Sequence, residues 1–325
     1  MIWAALLAQA TMTAPVPLWR DPVHDGAADA STVYDPVART WVMFYTNRRA
    51  DLPTAADDVT WVHGTAIGIA VSGDGGRWRY SGTAAIPAAC TGATLWAPEV
   101  QRIGGRWHMW LTVVPGVFTN WNAPRFIVHL TSPDLKRWRC ADRLDLGSDR
   151  VIDASVATLP DGTYRLWFND ERMGKAVRYA DSRDLTSWQV KGTATDTPGE
   201  GPKAFRWRGG WWLVSDAWKG LLVQRSDDAT AWHRQPGYLL DRPGTRPTDR
   251  AKGQHPDIVV VGDRAFIIYF VHQSDEPEAA RDPRWHRRTV LQIAELREKD
   301  GILSVDRDRP VRLPLGRPDA SKGRR

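Results

Sequence analysis

Five residues of the sequence stand at nearly constant distances ahead of an aromatic or apolar strand residue, and three of them are acids. Trp96 lies 11 positions before Trp107, Asp153 11 before Tyr164 and Glu200 11 before Trp211. His255 lies 10 or 11 positions ahead, depending on whether Ala265 or Phe266 is aligned, and Asp29 lies 12 before Trp41. Asp21 and Asp25, 20 and 16 positions ahead of Trp41, fit the spacing less well. Equal spacing predicts equivalent places in a repeated unit, so these side chains converge on one pocket. Two carboxyl groups flanking a sugar bond are the general apparatus of glycoside hydrolysis, one ionised to activate water and one protonated to supply the leaving group. A third carboxylate has a physical use there, because a nearby negative charge keeps the acid protonated.

The elements that must position these residues are legible as two interleaved repeats. The first is a strand, a turn and an aromatic strand: STVYDPVARTWVMFYT, APEVQRIGGRWHMWLTVV, DASVATLPDGTYRLWFND, EGPKAFRWRGGWWLVSD and HPDIVVVGDRAFIIYFVH. The second is Ser-x-Asp with Trp four positions after the Asp, in SGDGGRW (72–78), SPDLKRW (132–138), SRDLTSW (182–188) and SDDATAW (226–232), each after a short β-run. Ser and Asp side chains bond the backbone of a tight turn, so this second repeat reads as a turn-and-core device. VLQIAELREKDGILSVD supplies a looser fifth ending. No long amphipathic helical pattern interrupts the strands. The fold class is therefore all-β, a five-bladed β-propeller of four-stranded antiparallel blades around a central axial cavity.

Composition agrees. Eighteen Trp in 325 residues is far above ordinary usage and suits both β-sheets and sugar-stacking surfaces. The formal charge of +6 comes from scattered Lys and Arg with no nucleic-acid-binding motif, so nucleic acid is set aside as a partner. Residues 1–19 form a candidate signal peptide or N-terminal extension, with a small-x-small site at Ala8-Gln9-Ala10 and an apolar run too short to span a membrane. Export to a secreted or periplasmic location follows if that segment is cleaved, and a cytoplasmic location otherwise. Residues 20–315 are assigned to the propeller and 316–325 to a basic tail. Cys90 and Cys140 leave pairing open.

With these residues in view, the sequence resembles glycoside hydrolase family 43, the five-bladed propeller glycosidases, over roughly residues 20 to 310. The marks are WAPEV (96–100), IDASV (152–156), EGPKAF (200–205) and HPDIVV (255–260). The resemblance implies Asp29 as general base, Asp153 as orienting residue and pKa modulator, and Glu200 as general acid of an inverting mechanism. It also implies that the chemistry needs no cofactor and that an axial structural calcium, or a water, would fall on His255. Asp29 precedes Ala30, where the family's base usually precedes Pro; Asp25 is the alternative base, and the literal Asp21-Pro22 lies too far upstream. An inverting site needs its two carboxyl groups about 6.5–9.5 Å apart.

Further contacts follow from the face on which the pocket opens. The loops at 47–64 and 115–124, Asn169-Asp170 and Asp216-Ala217-Trp218 share that face. Substrate contacts are expected from Trp96, Asn47, Arg48, His63, Phe118, Asn169 and Trp218, and Glu99 is expected deeper down or off the cavity. The activity expected is exo-acting hydrolysis of α-L-arabinofuranosyl or β-xylosyl linkages, with galactosyl linkages as a further option, in poly- or oligosaccharides. The alternatives are a non-catalytic carbohydrate-binding propeller, or a sialidase-like hydrolase gripping an acidic sugar through arginines such as Arg48, Arg49 and Arg125. A carbohydrate is the only partner implied; nothing points to a membrane or to a protein partner.

Overall fold

In the third repeat, Ser155, Val156 and Ala157 pair with Trp167, Leu166 and Arg165 across a hairpin closed by Asp161, whose carboxylate accepts the Thr163 N–H, and by Gly162 at φ 82°. The same construction recurs five times in the computed structural model, which describes residues 12–195, 197–282 and 284–313. Blade I comprises Ala27–Asp35, Thr40–Asn47, Ala66–Ser72 and Arg79–Thr83; blade II, Thr94–Ile103, Arg106–Val114, Phe126–Ser132 and Arg139–Arg143. Blade III comprises Val151–Thr158, Tyr164–Asp170, Ala176–Ser182 and Gln189–Thr195. Blade IV is Glu200–Trp207, Gly210–Asp216, Leu221–Ser226 and a short His233–Arg234; blade V is Gln254–Val261, Arg264–His272, Thr289–Lys299 and Ile302–Val305. Within each blade neighbouring strands are antiparallel, and among the described residues helical structure is confined to short 3-10 turns. The molecule is a five-bladed β-propeller, as the repeats predict.

Burial explains why the ring closes. The second strand of each blade is covered on both faces, whereas the outermost strands alternate, as in Gln189–Thr195. Five apolar clusters result, one for each contact between successive blades. Val42 and Phe44 meet Met109 and Leu111 between blades I and II, and Trp110 and Ile127 meet Leu166 and Phe168 between II and III. Trp167 meets Trp211 between III and IV, and Trp212 and Val223 meet Ile267 and Ala294 between IV and V. Met43 and Tyr45 meet Phe266 and Leu291 at the closure of V on I. At roughly 25 cal/mol per Å² of apolar surface, these contacts are the main force holding blade to blade.

The Ser-x-Asp turns do what their chemistry suggests. Asp74 Oδ1 accepts the N–H groups of Gly76 and Arg77 at 2.9 and 2.8 Å, and Asp184 Oδ1 those of Thr186 and Ser187 at 2.9 and 2.8 Å. The Trp that follows each turn packs into the cluster shared with the preceding blade: Trp78, Trp138, Trp188 and Trp232. The turn thus sets the register of the outer strand, and the Trp locks it to its neighbour.

Residues ahead of position 20 also pack on the propeller. Met12 and Thr13 pair with Leu313 and Arg312, Trp19 bridges Leu291, and Ala14, Leu18 and Trp19 belong to the cluster that closes the ring. The Ala8-Gln9-Ala10 site and the basic tail lie outside the described residues. Cys90 and Cys140 form a disulfide, tying the segment before blade II to that blade's outermost strand. No helix among the described residues is long and apolar enough to cross a membrane.

Candidate active site

Every innermost strand carries one irregularity at the same place. The register slips between Ala28 and Ser31, Trp96 and Glu99, Ile152 and Ser155, Glu200 and Lys203, and Gln254 and Asp257. Inside each slip sits a residue of positive φ: Asp29 at 50°, Ala97 at 43°, Asp153 at 60°, Gly201 at 54° and His255 at 43°. A bulge adds one residue to a strand and re-aims its side chain, at a cost of order 1–3 kcal/mol per non-glycine residue held in this region. The five residues aligned by spacing therefore fall into two sets. Asp29, Asp153 and His255 occupy the bulge, while Trp96 and Glu200 stand one position before it.

Gly201 shows what the bulge does for the site. A Cβ there would lie 2.7 Å from the His255 ring, so glycine lets the imidazole pack on bare backbone. Its N–H donates to Asp153 Oδ2 at 2.9 Å, while the Asp153 N–H donates to Thr112 Oγ1 at 3.1 Å. Asp153 is thus fixed from blades II and IV at once.

Together these residues line a cavity of about 420 Å³ whose wall includes Asp29, Asp153, Glu200, His255, Trp96 and Arg48. Asp29 Oδ1 lies 3.3 Å from both Arg48 Nη2 and His255 Nδ1. Burial opposes its charge, but Arg48 and then His255 outweigh that and hold the carboxyl below the usual range. His255 is correspondingly held above its ordinary value: burial works against the imidazolium, and Asp29, Asp153, Glu200 and Asp216 together overcome it. Glu200 has the opposite environment. Burial, then the charges of Asp153 and Asp216, push its carboxyl up to about 8. Asp153 is pushed up to about 6, chiefly by burial, with Asp29 adding and His255 opposing. One cavity therefore holds an ionised aspartate and a protonated glutamate near neutral pH.

Not every expected contact reaches the cavity. Arg48, Trp96 and Trp218 line it, but Asn47, His63, Phe118 and Asn169 do not. His63 is fully buried behind Trp96, stacked on it at 5.1 Å between ring centres, with Phe118 edge-on at 5.8 Å. Burial and the nearby Arg125 and Arg49 lower the His63 imidazole to about 4, so it backs the indole as a neutral ring. Asn169 spends its amide on the carbonyls of Lys175 and Gly199, and Asn47 is buried at the end of its strand. Two reasons apply: Asn47 and Asn169 are buried near the ends of the second strands of their blades, while His63 and Phe118, although in the loops, pack behind the Trp96 indole.

Residues that sequence reasoning missed come from those loops and strand ends, Trp61, Trp121, Glu171, Lys175 and Phe270 among them; Arg125, singled out only as a grip for an acidic sugar, lines the cavity too. Trp61 and Trp121 lie in the two loops singled out by length. Asp216, placed on the pocket face by its loop but given no role, pairs directly with Glu200. It is fully buried and accepts the Trp218 N–H at 2.8 Å and the His255 N–H at 3.3 Å. Glu99, expected deeper down or off the cavity, is buried and is not on the cavity wall.

The fold now has known counterparts. A thermostable family-43 glycoside hydrolase superposes with a TM-score of 0.69 at 16% identity, over 91% of this chain and 99% of that one. The fold is that of the family-43 glycoside hydrolases. A family-43 β-xylosidase/α-arabinofuranosidase from a compost microbial metagenome, solved with xylotriose in calcium-free form, matches at TM-score 0.65 and 14% identity over 89% and 96% of the two chains. An α-L-arabinanase mutant from Cellvibrio cellulosa matches at 0.63 and 16% over 86% and 95%. No protein-family model and no curated protein matches the sequence.

The protein groups present do not by themselves make the axial calcium site that a family-43 resemblance implies. His255 turns Nδ1 to Asp29 and packs on Gly201, and among the described residues no group of three or more His, Cys, Asp or Glu is placed to hold a metal. Calcium takes six to eight oxygens. Deeper on the axis the two available carboxylates, Glu99 and Asp257, are already bonded to the Lys203 ammonium.

Proposed function

We propose that the protein is a glycoside hydrolase that inverts configuration, acts from chain ends, and cleaves α-L-arabinofuranosyl or β-xylosyl linkages in poly- or oligosaccharides. The observation that carries this reading is the opposed protonation of two carboxyl groups on one cavity, Asp29 held charged by Arg48 and His255, and Glu200 held neutral by burial, Asp153 and Asp216. Asp29 takes a proton from water as its oxygen attacks the anomeric carbon, the glycosidic bond breaks, and Glu200 gives its proton to the departing oxygen. Asp153 contributes charge and orientation. The indole of Trp96, held by its Nε1–H to the Val62 carbonyl at 2.7 Å, offers an apolar face to a sugar ring.

Two features weigh against the alternatives. A purely binding propeller has no use for carboxyl groups driven apart in protonation. A site gripping an acidic sugar needs free guanidinium groups, yet Arg48 is paired to Asp29, Arg125 to Glu171 at 2.6 Å, and Arg49 to the carbonyls of His63 and Thr60. The test is a panel of aryl α-L-arabinofuranoside, β-D-xyloside and β-D-galactoside substrates, with product anomers followed by NMR. Inverted product, and collapse of activity in Glu200→Gln and Asp29→Asn, is the expected result; equal activity in wild type and variants would refute the carboxylate roles.

A further inference from the structure

Two positions beyond each bulge, a side chain ties its blade to the next. Ser31 Oγ accepts the Val100 N–H at 2.9 Å, Glu99 Oε1 the Val156 N–H at 3.5 Å, Ser155 Oγ the Ala204 N–H at 3.0 Å and Asp257 Oδ2 the Thr32 N–H at 2.8 Å. Four of the five blade junctions are thus bridged by an oxygen from one blade and an N–H from its successor. Blade IV breaks the rule. Its residue at this place is Lys203, which has donors and no acceptor.

The ammonium makes a different connection. Lys203 Nζ lies 2.6 Å from Glu99 Oε2 of blade II and 2.9 Å from Asp257 Oδ1 of blade V. The other oxygen of each carboxylate is the one that accepts from blade III or blade I, and Gln101 Nε2 adds a bond to Glu99 Oε1 at 2.7 Å. A single cation therefore joins blades II, IV and V directly and draws in III and I through two shared carboxylates.

We propose that Lys203 is the built-in axial cation of this propeller: it neutralises and ties together the two buried hub carboxylates as a bound divalent metal would, so that the fold needs no metal, and removing the ammonium leaves a seat that takes one up. Glu99 and Asp257 are 3% and 1% exposed, and two such carboxylates converging without a cation would repel and lose solvation together. Burial pulls the lysine down, but Asp257 and Glu99 more than offset it and hold the ammonium above the ordinary lysine range. The hub is also bound to the geometry of the cavity. Lys203 is three residues beyond Glu200, and Asp257 is two beyond His255, so a shift of either hub strand moves a residue of the pocket wall. Lys203 is a positioning residue in this sense and touches no substrate.

The inference stands apart from the glycosidase reading, because its test is read by thermal melting without a substrate. Wild-type protein, melted in EDTA and then in calcium chloride, is expected to show the same Tm. Lys203→Ala is expected to melt below wild type in EDTA and to regain stability with calcium by about 4 °C once calcium reaches a hundredfold excess over its dissociation constant. Adding Glu99→Gln to that variant is expected to abolish the gain, and Lys203→Arg to behave as wild type. A wild-type Tm that falls in EDTA and returns with calcium overturns the proposal, as does a folded Lys203→Ala that ignores calcium. Should Lys203→Ala not fold, the longer apolar Lys203→Met carries the destabilisation arm, and the wild-type titration decides by itself.

Discussion

Replacing Glu200 by Gln removes the proposed acid and should make the protein more stable, increasingly so as the pH rises. In the folded state the Glu200 carboxyl is pushed from 4.5 up to about 8, first by burial and then by Asp153 and Asp216. Between those two values the folded chain binds a proton that the unfolded chain has released, so stability falls as pH rises through this window and levels off above it. Below pH 4.5 both states are protonated and the term vanishes. The full window is worth about 5 kcal/mol, of which about 3 are lost by pH 7 and less than about 1 by pH 5. Gln keeps the shape and carries no charge at any pH, so Glu200→Gln recovers what wild type loses. With an unfolding entropy of about 2.1 cal/mol/K per residue, a chain of 325 residues gains about 5 °C in Tm at pH 7 and about 1 °C at pH 5. Differential scanning calorimetry of both proteins across pH 5 to 8 measures this directly and needs no substrate. A gain that does not grow with pH, or a loss of stability at pH 7, would refute the assignment of Glu200 as a carboxyl held protonated in the cavity.

Other expectations concern the same site and its scaffold. Asp153 is ionised when Glu200 titrates, and after burial its charge is the largest contribution that holds the Glu200 proton. Asp153→Asn should therefore move the alkaline limb of the kcat/KM profile towards lower pH by about one to two units, and an unmoved limb would show that burial and Asp216 hold the proton without Asp153. The Cys90–Cys140 bridge closes a loop with a sequence separation of 50, worth about 4 kcal/mol in chain entropy. Reduction, or Cys90→Ser with Cys140→Ser, should lower Tm by several degrees while leaving the aromatic wall intact; an unchanged Tm on reduction would contradict this.

Much of the site was legible because the propeller repeats itself. A strand heading a blade has the same neighbours in all five copies, so counting back from Trp107, Tyr164 and Trp211 reached Trp96, Asp153 and Glu200 without coordinates. The count could not tell a residue in the bulge from the one before it. Gly201 and Ala97 hold the backbone place that Asp29, Asp153 and His255 hold, and only the register slip reveals it. Loop residues were harder. Trp61 and Trp121 belong to segments of conspicuous length, but their rings lie against Arg287 and against His63 and Trp96 respectively, partners distant in the chain that no local pattern records.

The sequence by itself determined the architecture: alternating strands, Ser-x-Asp turns and a Trp after each turn are local signals, and turn chemistry and strand periodicity act over a few residues. It also determined which acids head the strands. Tertiary structure alone decided their protonation and partners. Asp29 meets Arg48 of its own blade and His255 of blade V, Glu200 is buried against Asp153 and Asp216, and Lys203 reaches carboxylates far from it in the chain. The physical reason is that electrostatic environment and burial depend on distance in space, and a closed ring brings residues from blades I, III, IV and V to one axis.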